Sequence, residues 1–447
     1  MRKILVIGAG RSTYSLIKYL LDNAESENWK VKVGDISIEL AQQKVGESSF
    51  GSAIRFNVTD ELQCEREINE ADIVVSMLPA SMHVDVARAC IRLGKPMVTA
   101  SYVSDEMLKL NEQAIQAGVT ILNEIGVDPG IDHLSAMKVL DDIKEKGGKL
   151  KCFESFTGGL VAPESDNNPW NYKISWNPRN VVLAGQGSAA QFKEQGTYKY
   201  IPYTKVFRRT EIIKIDGYGV FEGYANRDSL KYRDVYGLRG VPTIYRGTLR
   251  RKGFCKAWNV FVQLGATDDS YRIENSENMT YREFINLFLS YNPTDSVEIK
   301  LKQYLKIDQD DVDLWEKLVW LDIFSENIIP LKNATPAEIL EHIIKDKWKL
   351  EADEKDMLVM RHKFIYELDG KTIEKHSFMV HIGTNKNQTA MANTVGLPVA
   401  IATKMILNNK ITAPGVRIPI QPHIYNPILK ELEAQGIKFT EQTISEN

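Results

Sequence analysis

The first 125 residues alternate between short apolar runs and segments whose apolar residues recur at helical spacing. Residues 3–7 read KILVI, a run rich in branched apolar side chains, as in strands buried on both faces of a parallel sheet. Further strands are predicted at residues 29–35, 71–79, 95–100 and 119–123, and helices at 12–23, 83–93 and 105–117. Such strand–helix repeats predict an α/β fold with a doubly wound parallel sheet of the Rossmann type.

The pattern changes further along the chain. Helical spacing dominates residues 278–350, where the acidic stretch 308–311 supplies a polar start for one helix. From Thr389 onward one helical face can be buried, built from Met391, Val395, Val399, Ala402, Met405 and Ile406. We therefore predict helices within residues 278–350, and the sequence alone permits the segment after Thr389 to form a separate terminal subdomain.

Length and charge narrow the function. A chain of 447 residues is long enough for two or three domains. Its net charge of −3 offers no basic field for nucleic-acid phosphates, so we expect no nucleic-acid partner. No stretch approaches 18 consecutive apolar residues, and the apolar run at residues 4–7 is too short for a signal-peptide core, so we expect no membrane association.

Cysteine and histidine spacing gives no metal signature. The four cysteines are too far apart for a zinc motif and too few to cross-link this chain, which favours a reducing, cytoplasmic location. No histidine pair has the spacing of metal ligands, and the H-E-x-x-H motif is absent, so we predict no metal. His83 and His133 are candidates for a place near a cofactor, with a structural role as the alternative.

A glycine turn joins the first strand to the first helix. Gly8 and Gly10 allow backbone N–H groups and the positive end of the helix dipole to approach a pyrophosphate. The third glycine of the dinucleotide fingerprint is replaced by Thr13, which leaves the helix-to-strand packing distance in question. Ser12 and Thr13 are both available near the helix start. A tight turn without a ligand is the alternative interpretation.

Asp35 ends the second predicted strand, 25 residues after Gly10. A carboxylate in this place can accept both hydroxyls of the adenosine ribose and would repel a 2′-phosphate. NAD is therefore predicted as the cofactor, with NADP as the alternative. A helix-capping role is the other interpretation of Asp35.

Several blocks of the chain resemble one enzyme family. These blocks are residues 98–102 (VTASY), 123–134 (NEIGVDPGIDHL), 158–164, 172–176, 221–229, 245–250, 354–360 and 390–398. They are similar to saccharopine dehydrogenase of the glutamate-forming type, also called saccharopine reductase, and especially to the dehydrogenase half of the bifunctional lysine-degrading enzyme. Because the blocks occur in family order over nearly the whole chain, the resemblance is more specific than a single glycine motif.

The resemblance implies a split architecture and a dimer. Residues 1–126 and 388–447 would form the dinucleotide-binding Rossmann domain. Residues 127–277 and 351–387 would form a mixed-sheet α+β domain for substrate binding and dimerisation, with residues 278–350 as the helical insertion. A homodimer is expected.

The resemblance also implies an oxidoreductase reaction of lysine metabolism. Saccharopine, NAD(P)+ and water would give L-glutamate and 2-aminoadipate 6-semialdehyde in a reversible oxidative deamination. Hydride leaves the carbon that carries the secondary amine, and water hydrolyses the resulting imine. Two other functions stay open: a related opine-type dehydrogenase, such as one acting on carboxynorspermidine, and a non-catalytic scaffold that keeps the fold.

Two residues match positions considered for proton transfer in the family, Tyr102 and Asp128. Asp128 follows a predicted strand, where open α/β sheets place their ligands, although a turn aspartate before Pro-Gly is the alternative. The substrate contacts implied by the resemblance are Ser101, Tyr102, Asp128, Arg227, Arg246, Gly247 and Thr248.

Arginine suits the three carboxylates of saccharopine because its planar fork binds a carboxylate through two hydrogen bonds. A surface charge or a structural salt bridge is the alternative for Arg227 and Arg246. Thr157 stands where many family members have a cysteine, so an obligatory catalytic cysteine is not expected.

The predicted cofactor contacts come from the glycine turn, from strand ends and from one later block. They are Gly8, Ala9, Gly10, Arg11, Ser12, Asp35, Ile36, Asn57, Val58, Met77, Leu78, Pro79, Val127, Pro129, Gly130, Ser175 and Trp176. Met77, Leu78 and Pro79 are expected on the nicotinamide side. A place in the hydrophobic core is the alternative for Trp176.

Overall fold

The computed structural model describes residues 1–445. The chain forms two compact units, of which unit 1 contains Met1–Leu150 and the chain from residue 365 onward, and unit 2 contains Lys151–Phe364. The predicted domain boundaries lie elsewhere, at residues 126 and 388. The long helix that follows residue 130 therefore lies with unit 1.

The first part of unit 1 alternates strands and helices. The strands are β1 (Arg2–Ile7), β2 (Trp29–Asp35), β3 (Gly51–Arg55), β4 (Ile73–Ser76), β5 (Met97–Val98) and β6 (Thr120–Leu122). The helices are α1 (Tyr14–Asp22), α2 (Ile38–Val45), α3 (Glu61–Glu70), α4 (His83–Arg92), α5 (Asp105–Leu108), α6 (Asn111–Gln116) and α7 (Ile131–Glu145).

Strand β7 (Lys149–Val161) leads the chain into unit 2, and β13 (Asp356–Leu368) leads it out. Between them lie strands β8 (Ala190–Glu194), β9 (Thr197–Ile201), β10 (Thr210–Ile215), β11 (Gly219–Ala225) and β12 (Thr243–Arg251). The helices are α8 (Pro178–Leu183), α9 (Phe254–Leu264), α10 (Tyr281–Asn286), α11 (Val297–Leu305), α12 (Val312–Trp320) and α13 (Pro336–Lys347). The chain then forms β14 (Lys371–Ile382), α14 (Ala390–Leu407), β15 (Gly415–Arg417), α15 (Pro422–Ala434) and β16 (Thr440–Ser445) in unit 1.

Unit 1 contains a seven-stranded sheet in the order β15-β6-β5-β4-β1-β2-β3. Every neighbouring pair in it is parallel. The apolar run of β1 is buried because helices cover both faces of such a sheet. Strand order reverses at β1, which pairs with β2 on one side and β4 on the other. The doubly wound fold predicted from the sequence is confirmed.

Helix α14 is more apolar and more completely buried than the single buried face predicted from the sequence. It is long and apolar enough to cross a membrane by length and composition, yet 72% of it is buried inside the protein, as in the core helix of a globular domain. Burial also extends around the helix from Gly396 to Met405 and includes Thr403. The predicted single buried face is therefore too narrow, because α14 is an interior element packed against α1.

Unit 2 is built on a mixed sheet. Strands β10, β11 and β12 are antiparallel neighbours, β12 runs parallel to β7, and the β8–β9 hairpin pairs with β12 through β8. Helix α9 adds a buried aromatic face that includes Trp258, which meets Trp170 and Trp348 edge-on or tilted. The segment predicted as a helical insertion contains α10 to α13. Asp311 caps α12, as its acidic start suggests.

Some predicted elements are shorter in the structure. The predicted helix at 105–117 is divided into α5 and α6 near Leu110, whose side chain is buried. The predicted strand at 95–100 is limited to β5. The first helix is preceded by a 3₁₀ turn, Arg11–Thr13.

Candidate active site

A cavity of about 240 Å³ lies in unit 1 at the carboxyl ends of β1, β4, β5 and β6. Its lining residues are Ser12, Ser76, Met77, Leu78, Thr99, Ala100, Ser101, Gly126, Val127, Asp128, Pro129 and Val395. Strand order reverses beside this edge, and open α/β sheets bind their ligands at such a switch point. The cavity brings together predicted cofactor and substrate residues that are up to 117 positions apart, from Ser12 to Pro129.

The glycine turn has the backbone of an anion cradle. Gly8 has φ +105°, and a Cβ atom there would lie 2.7 Å from the carbonyl oxygen of Met77. A Cβ atom on Gly10 would meet nothing within 4 Å, so the space beside the turn is open. Within residues 1–445, no side chain caps the 3₁₀ turn that begins there. This arrangement suits a pyrophosphate, which needs close approach to backbone N–H groups.

Thr13 fits without separating the helix from its neighbours. Its hydroxyl donates to the carbonyl of Gly10 at 2.8 Å, so it does not cap the helix as an acceptor. Close packing occurs instead at Gly396 of α14, where a Cβ atom would lie 2.8 Å from the backbone nitrogen of Leu16. A distant glycine thus provides close approach for α1.

Asp35 is held beside the glycine turn by two backbone donors. Its Oδ2 accepts from the N–H of Ala9 at 2.7 Å, and its Oδ1 accepts from the N–H of Ser37 at 2.9 Å. Ser37, not Asp35, caps α2, because its hydroxyl accepts from the N–H of Leu40. The helix-cap interpretation of Asp35 is therefore wrong. Exposed Ile36 follows at the same edge.

Arg55 was not predicted as a site residue. It is exposed, lies opposite Asp35 in the β2–β3 register, and donates through Nε to the carbonyl of Ile36 at 3.2 Å. Strand pairing rather than a linear motif creates this proximity. Asn57 and Val58 follow the carboxyl end of β3 and are exposed and half-buried, respectively. A positive charge therefore accompanies the Asp35 carboxylate at the sheet edge.

The residues after β4 separate into two groups. Met77 and Leu78 are half-buried and line the cavity. Pro79 is exposed and precedes the 3₁₀ turn Ala80–Met82. Met77 and Leu78 are therefore among the residues that line the cavity, whereas Pro79 is not.

Tyr102 and Asp128 are brought together by two different loops. The Tyr102 hydroxyl donates to Oδ1 of Asp128 at 3.3 Å. Asp128 lines the cavity, and Tyr102 is 49% exposed. Gly130 fixes the loop with φ +147°, since a Cβ atom there would lie 2.0 Å from the carbonyl oxygen of Gly126. The predicted proton-transfer pair is therefore assembled within unit 1.

Glu124 supports the loop that carries Tyr102. Its Oε1 accepts from the N–H of Val103 at 2.8 Å, and its Oε2 contacts Nε2 of His133 at 2.8 Å. Both Glu124 and His133 are buried. Since His133 lies on α7, the pair ties the loop to that helix. This contact gives His133 a structural role, which was the alternative to a place near the cofactor.

His83 lies at the first position of α4 and contacts two serines of the cavity wall. Its Nδ1 lies 2.8 Å from Oγ of Ser76, and its Nε2 lies 2.7 Å from Oγ of Ser101. The imidazole is 3% exposed, and burial lowers the pKa of His83 to about 4. It is therefore neutral near pH 7.

Unit 2 holds the predicted arginines. Arg246 is buried, with its guanidinium 4.8 Å from the centre of the Tyr232 ring. A Cβ atom on Gly247 would lie 2.3 Å from Cε1 of Phe156, so this position accepts no larger side chain. The Thr248 hydroxyl donates to Oδ1 of Asn226 at 2.8 Å. The Arg246–Thr248 segment of β12 therefore lies inside the sheet, between β11 and β7.

Arg227 has a partly structural role. Its Nη2 donates to the carbonyls of Leu183 and Gln186, at 2.7 and 2.9 Å. This engages the carboxyl end of α8, while the exposed guanidinium keeps other donors. Ser175 is buried and Trp176 half-buried just before α8.

Three further features concern the chemistry available. Thr157 lies opposite Thr248 in the β7–β12 register, and its buried hydroxyl has no hydrogen-bond partner among the described residues. All four cysteines are buried and unpaired with one another. No group of three or more His, Cys, Asp or Glu side chains could hold a metal ion within the part of the chain that the structure describes.

Comparisons with known proteins cover the whole length of the chain. The family model of the saccharopine dehydrogenase NADP binding domain matches residues 4–122, and that of the saccharopine dehydrogenase C-terminal domain matches residues 126–437. The NADP(+)-dependent, L-glutamate-forming saccharopine dehydrogenase of Saccharomyces cerevisiae is 34% identical over 451 residues, covering 99% of this chain and 100% of that protein.

A mitochondrial alpha-aminoadipic semialdehyde synthase of Mus musculus is 33% identical, and the match covers 99% of this chain and 48% of that longer protein. The solved structure of apo saccharopine dehydrogenase (L-Glu forming) from Saccharomyces cerevisiae superposes with a TM-score of 0.90 at 33% identity, covering 99% of this chain and 100% of the other.

Proposed function

The chain belongs to the saccharopine dehydrogenase family and is an oxidoreductase, and we propose that it converts saccharopine, a nicotinamide dinucleotide and water reversibly into L-glutamate and 2-aminoadipate 6-semialdehyde. The observation that carries this assignment is the cavity in which Asp128 and Ser101 stand beside the glycine turn. The match over 99% of the chain to a saccharopine dehydrogenase supports the substrate.

The residues present fit a dinucleotide. Gly8 and Gly10 leave backbone space for the pyrophosphate, Asp35 can accept the ribose hydroxyls, and Met77 and Leu78 line the cavity at the nicotinamide end. When bound, the nicotinamide accepts the hydride from the carbon that carries the substrate's secondary amine.

Proton transfer falls to Asp128 and Tyr102. The amine must be deprotonated before hydride leaves, and water must lose a proton as it attacks the imine carbon. Asp128 lines the cavity as a carboxylate that can accept these protons, and the Tyr102 hydroxyl bonded to it orients its Oδ1. The protons end on the departing glutamate amine and in solvent.

Substrate carboxylates call for fixed cations. Arg246 is buried with its guanidinium over the Tyr232 ring, and a planar guanidinium can bind a carboxylate through two hydrogen bonds. Arg227 keeps exposed donors beside the turn that its Nη2 secures. We assign both residues to substrate carboxylates in the proposed reaction.

NAD is the proposed preferred cofactor. Asp35 is fixed by Ala9 and Ser37 with its carboxylate next to the glycine turn, and a 2′-phosphate would bring two negative groups together. NADP is the alternative, because the matching relatives include NADP(+)-dependent enzymes and Arg55 supplies a nearby positive charge. The two cofactors are compared in the experiment below.

We also propose a homodimer in the cytoplasm. The dimer follows from the family resemblance. The location is supported by the four buried cysteines, none of which is in a disulfide, as is usual for proteins of a reducing compartment. We propose no nucleic-acid or membrane partner, consistent with a net charge of −3 and with the burial of α14.

The test is the initial rate of cofactor reduction by purified protein with saccharopine, followed through the absorbance of the reduced nicotinamide. Faster turnover with NAD supports the whole proposal, and faster turnover with NADP keeps the reaction but contradicts the cofactor preference. If saccharopine gives no reduction with either cofactor, the proposed substrate is wrong. A panel of secondary amines, including carboxynorspermidine, then distinguishes an opine-type enzyme from a non-catalytic protein.

A further inference from the structure

His83 connects two serines that line the cavity, and one of them is fully buried. Ser76 is 0% exposed, and its Oγ lies 2.8 Å from Nδ1 of His83. Ser101 is half-buried, lines the cavity with Asp128, and its Oγ lies 2.7 Å from Nε2 of the same imidazole. The three side chains form one hydrogen-bonded row from the sheet interior to the cavity.

The direction of this row follows from the Ser76 hydroxyl. Among the described residues, His83 is the one hydrogen-bond partner of Ser76 Oγ. If Nδ1 carried the proton, Nδ1–H would donate to Ser76, and the Ser76 proton would be buried without an acceptor. Leaving a buried donor unsatisfied is unfavourable. The favoured arrangement therefore has Ser76 donating to Nδ1, which places the imidazole proton on Nε2.

The position of the imidazole proton determines how the Ser101 hydroxyl is hydrogen-bonded. A proton on Nε2 is donated to Ser101 Oγ, so the Ser101 hydroxyl proton is not used for His83. Its backbone is also anchored, since the Ser101 carbonyl accepts from the N–H of Glu124 at 3.1 Å. Ser101 consequently has its hydroxyl proton available as a hydrogen-bond donor to the cavity.

We propose that His83, as a neutral Nε2–H imidazole, is a positioning residue that makes the Ser101 hydroxyl a donor to a carboxylate oxygen of the bound substrate. This inference rests on the proposed function for the identity of the substrate. Ser76 acts with His83 by fixing its tautomer.

The tautomer can be measured without any turnover. Nitrogen NMR of protein labelled with ¹⁵N-histidine distinguishes a protonated Nε2, a protonated Nδ1 and the imidazolium, and the signal missing in the His83→Gln protein identifies His83. At pH 7 we expect the neutral Nε2–H form, and we expect Ser76→Ala to reduce its population. A neutral Nδ1–H form or an imidazolium in the wild type overturns the proposal.

Kinetics test the effect on substrate. The glutamine amide nitrogen reaches the place of Nε2 and can donate to Ser101, whereas asparagine reaches only the place of Nδ1. We expect His83→Gln to keep kcat/KM for saccharopine within about fivefold, and His83→Asn and Ser101→Ala to lower it about 10- to 100-fold, as for loss of a hydrogen bond to a charged group. Adding His83→Asn to Ser101→Ala should lower it no further.

The affinity for NADH, measured by fluorescence, is expected to change less than threefold in all these proteins. His423→Asn, an exposed histidine of α15, is the matched control and should keep wild-type kinetics. Equal losses in the glutamine and asparagine variants, or additive losses in the double variant, overturn the positioning role. If wild-type protein does not turn over saccharopine, the proposed function and the carboxylate role of Ser101 both fail, while the tautomer measurement still decides the hydrogen-bonded row.

Discussion

The Tyr102 hydroxyl donates to Oδ1 of Asp128 at 3.3 Å, across 26 residues of sequence. The two side chains come from the loops after β5 and β6, which are neighbouring parallel strands. Parallel strands end at the same edge of a sheet, so loops that are distant in sequence meet there. The proposed proton transfer depends on this contact.

Asp128→Asn should lower kcat/KM for saccharopine by about 100-fold or more, because an amide cannot accept the proton that a general base removes. Tyr102→Phe removes only the orienting hydroxyl and should cost about tenfold, the effect of one hydrogen bond. Both variants are compared over pH, and the acidic limb of the profile should disappear in the Asp128 variant. Wild-type rates and pH profiles in both would exclude the pair from proton transfer.

Cofactor preference should follow the charges at positions 35 and 55. Asp35→Ser removes the carboxylate that is proposed to accept the ribose hydroxyls. We expect the ratio of kcat/KM for NADP to that for NAD to rise about tenfold or more. Adding Arg55→Ala should reverse part of this gain, since the 2′-phosphate then loses its nearby cation. The measurement is the pair of kcat/KM values for each variant.

Glu39→Gln is the control for this experiment. Glu39 is an exposed carboxylate in the first turn of α2. Its removal should leave the cofactor ratio within about twofold, because its carboxylate contacts the Ser37 hydroxyl and not the Asp35 side chain. An unchanged ratio in Asp35→Ser would contradict the role given to that carboxylate.

His83 also predicts a pH dependence of stability. Burial lowers its pKa in the folded protein to about 4, below the ordinary value of 6.5. As pH falls, His83 therefore binds a proton in the unfolded chain before it does so in the folded protein. Between about pH 6.5 and about pH 4, this difference lowers the free energy of unfolding by up to roughly 3 kcal/mol. Above pH 6.5 the contribution is complete.

The comparison of wild type with His83→Gln isolates this effect from the carboxylates that titrate in the same range. Urea unfolding at several pH values should show that the wild type loses more stability between pH 6.5 and 4.5 than the variant does. Parallel stability curves over this range would show that the His83 pKa is not depressed in the folded protein.

The sequence predicts the parts of the fold that local patterns encode. The predicted strand at 29–35 coincides with β2, and the predicted helix at 83–93 corresponds to α4. The contacts of Arg55 and His83 lie beyond such patterns, because they depend on strand register and on the stacking of loops at one sheet edge. Linear spacing carries no information about these contacts, so a motif centred on Asp35 does not include Arg55.

The packing of α1 shows how a departure from the dinucleotide fingerprint is offset elsewhere. Thr13 occupies the place of the third glycine, yet α1 still approaches a neighbour closely, because α14 presents Gly396 to it. A Cβ atom on Gly396 would lie 2.8 Å from the backbone nitrogen of Leu16 and 3.2 Å from the carbonyl oxygen of Ser12. Backbone atoms cannot rotate away as a side chain can, so α1 itself would have to move.

Gly396→Ala is therefore expected to destabilise the protein by about 1–3 kcal/mol, the usual cost of overpacking, even though alanine favours a helix by up to about 1 kcal/mol. Because only the 3₁₀ turn Arg11–Thr13 separates α1 from the glycine turn, displacement of α1 should also weaken NADH binding at least threefold. Gly240→Ala is the control, since a Cβ atom there meets nothing within 4 Å. If Gly396→Ala leaves both the unfolding midpoint and NADH affinity unchanged, close packing of α1 against α14 does not hold the cofactor turn in place.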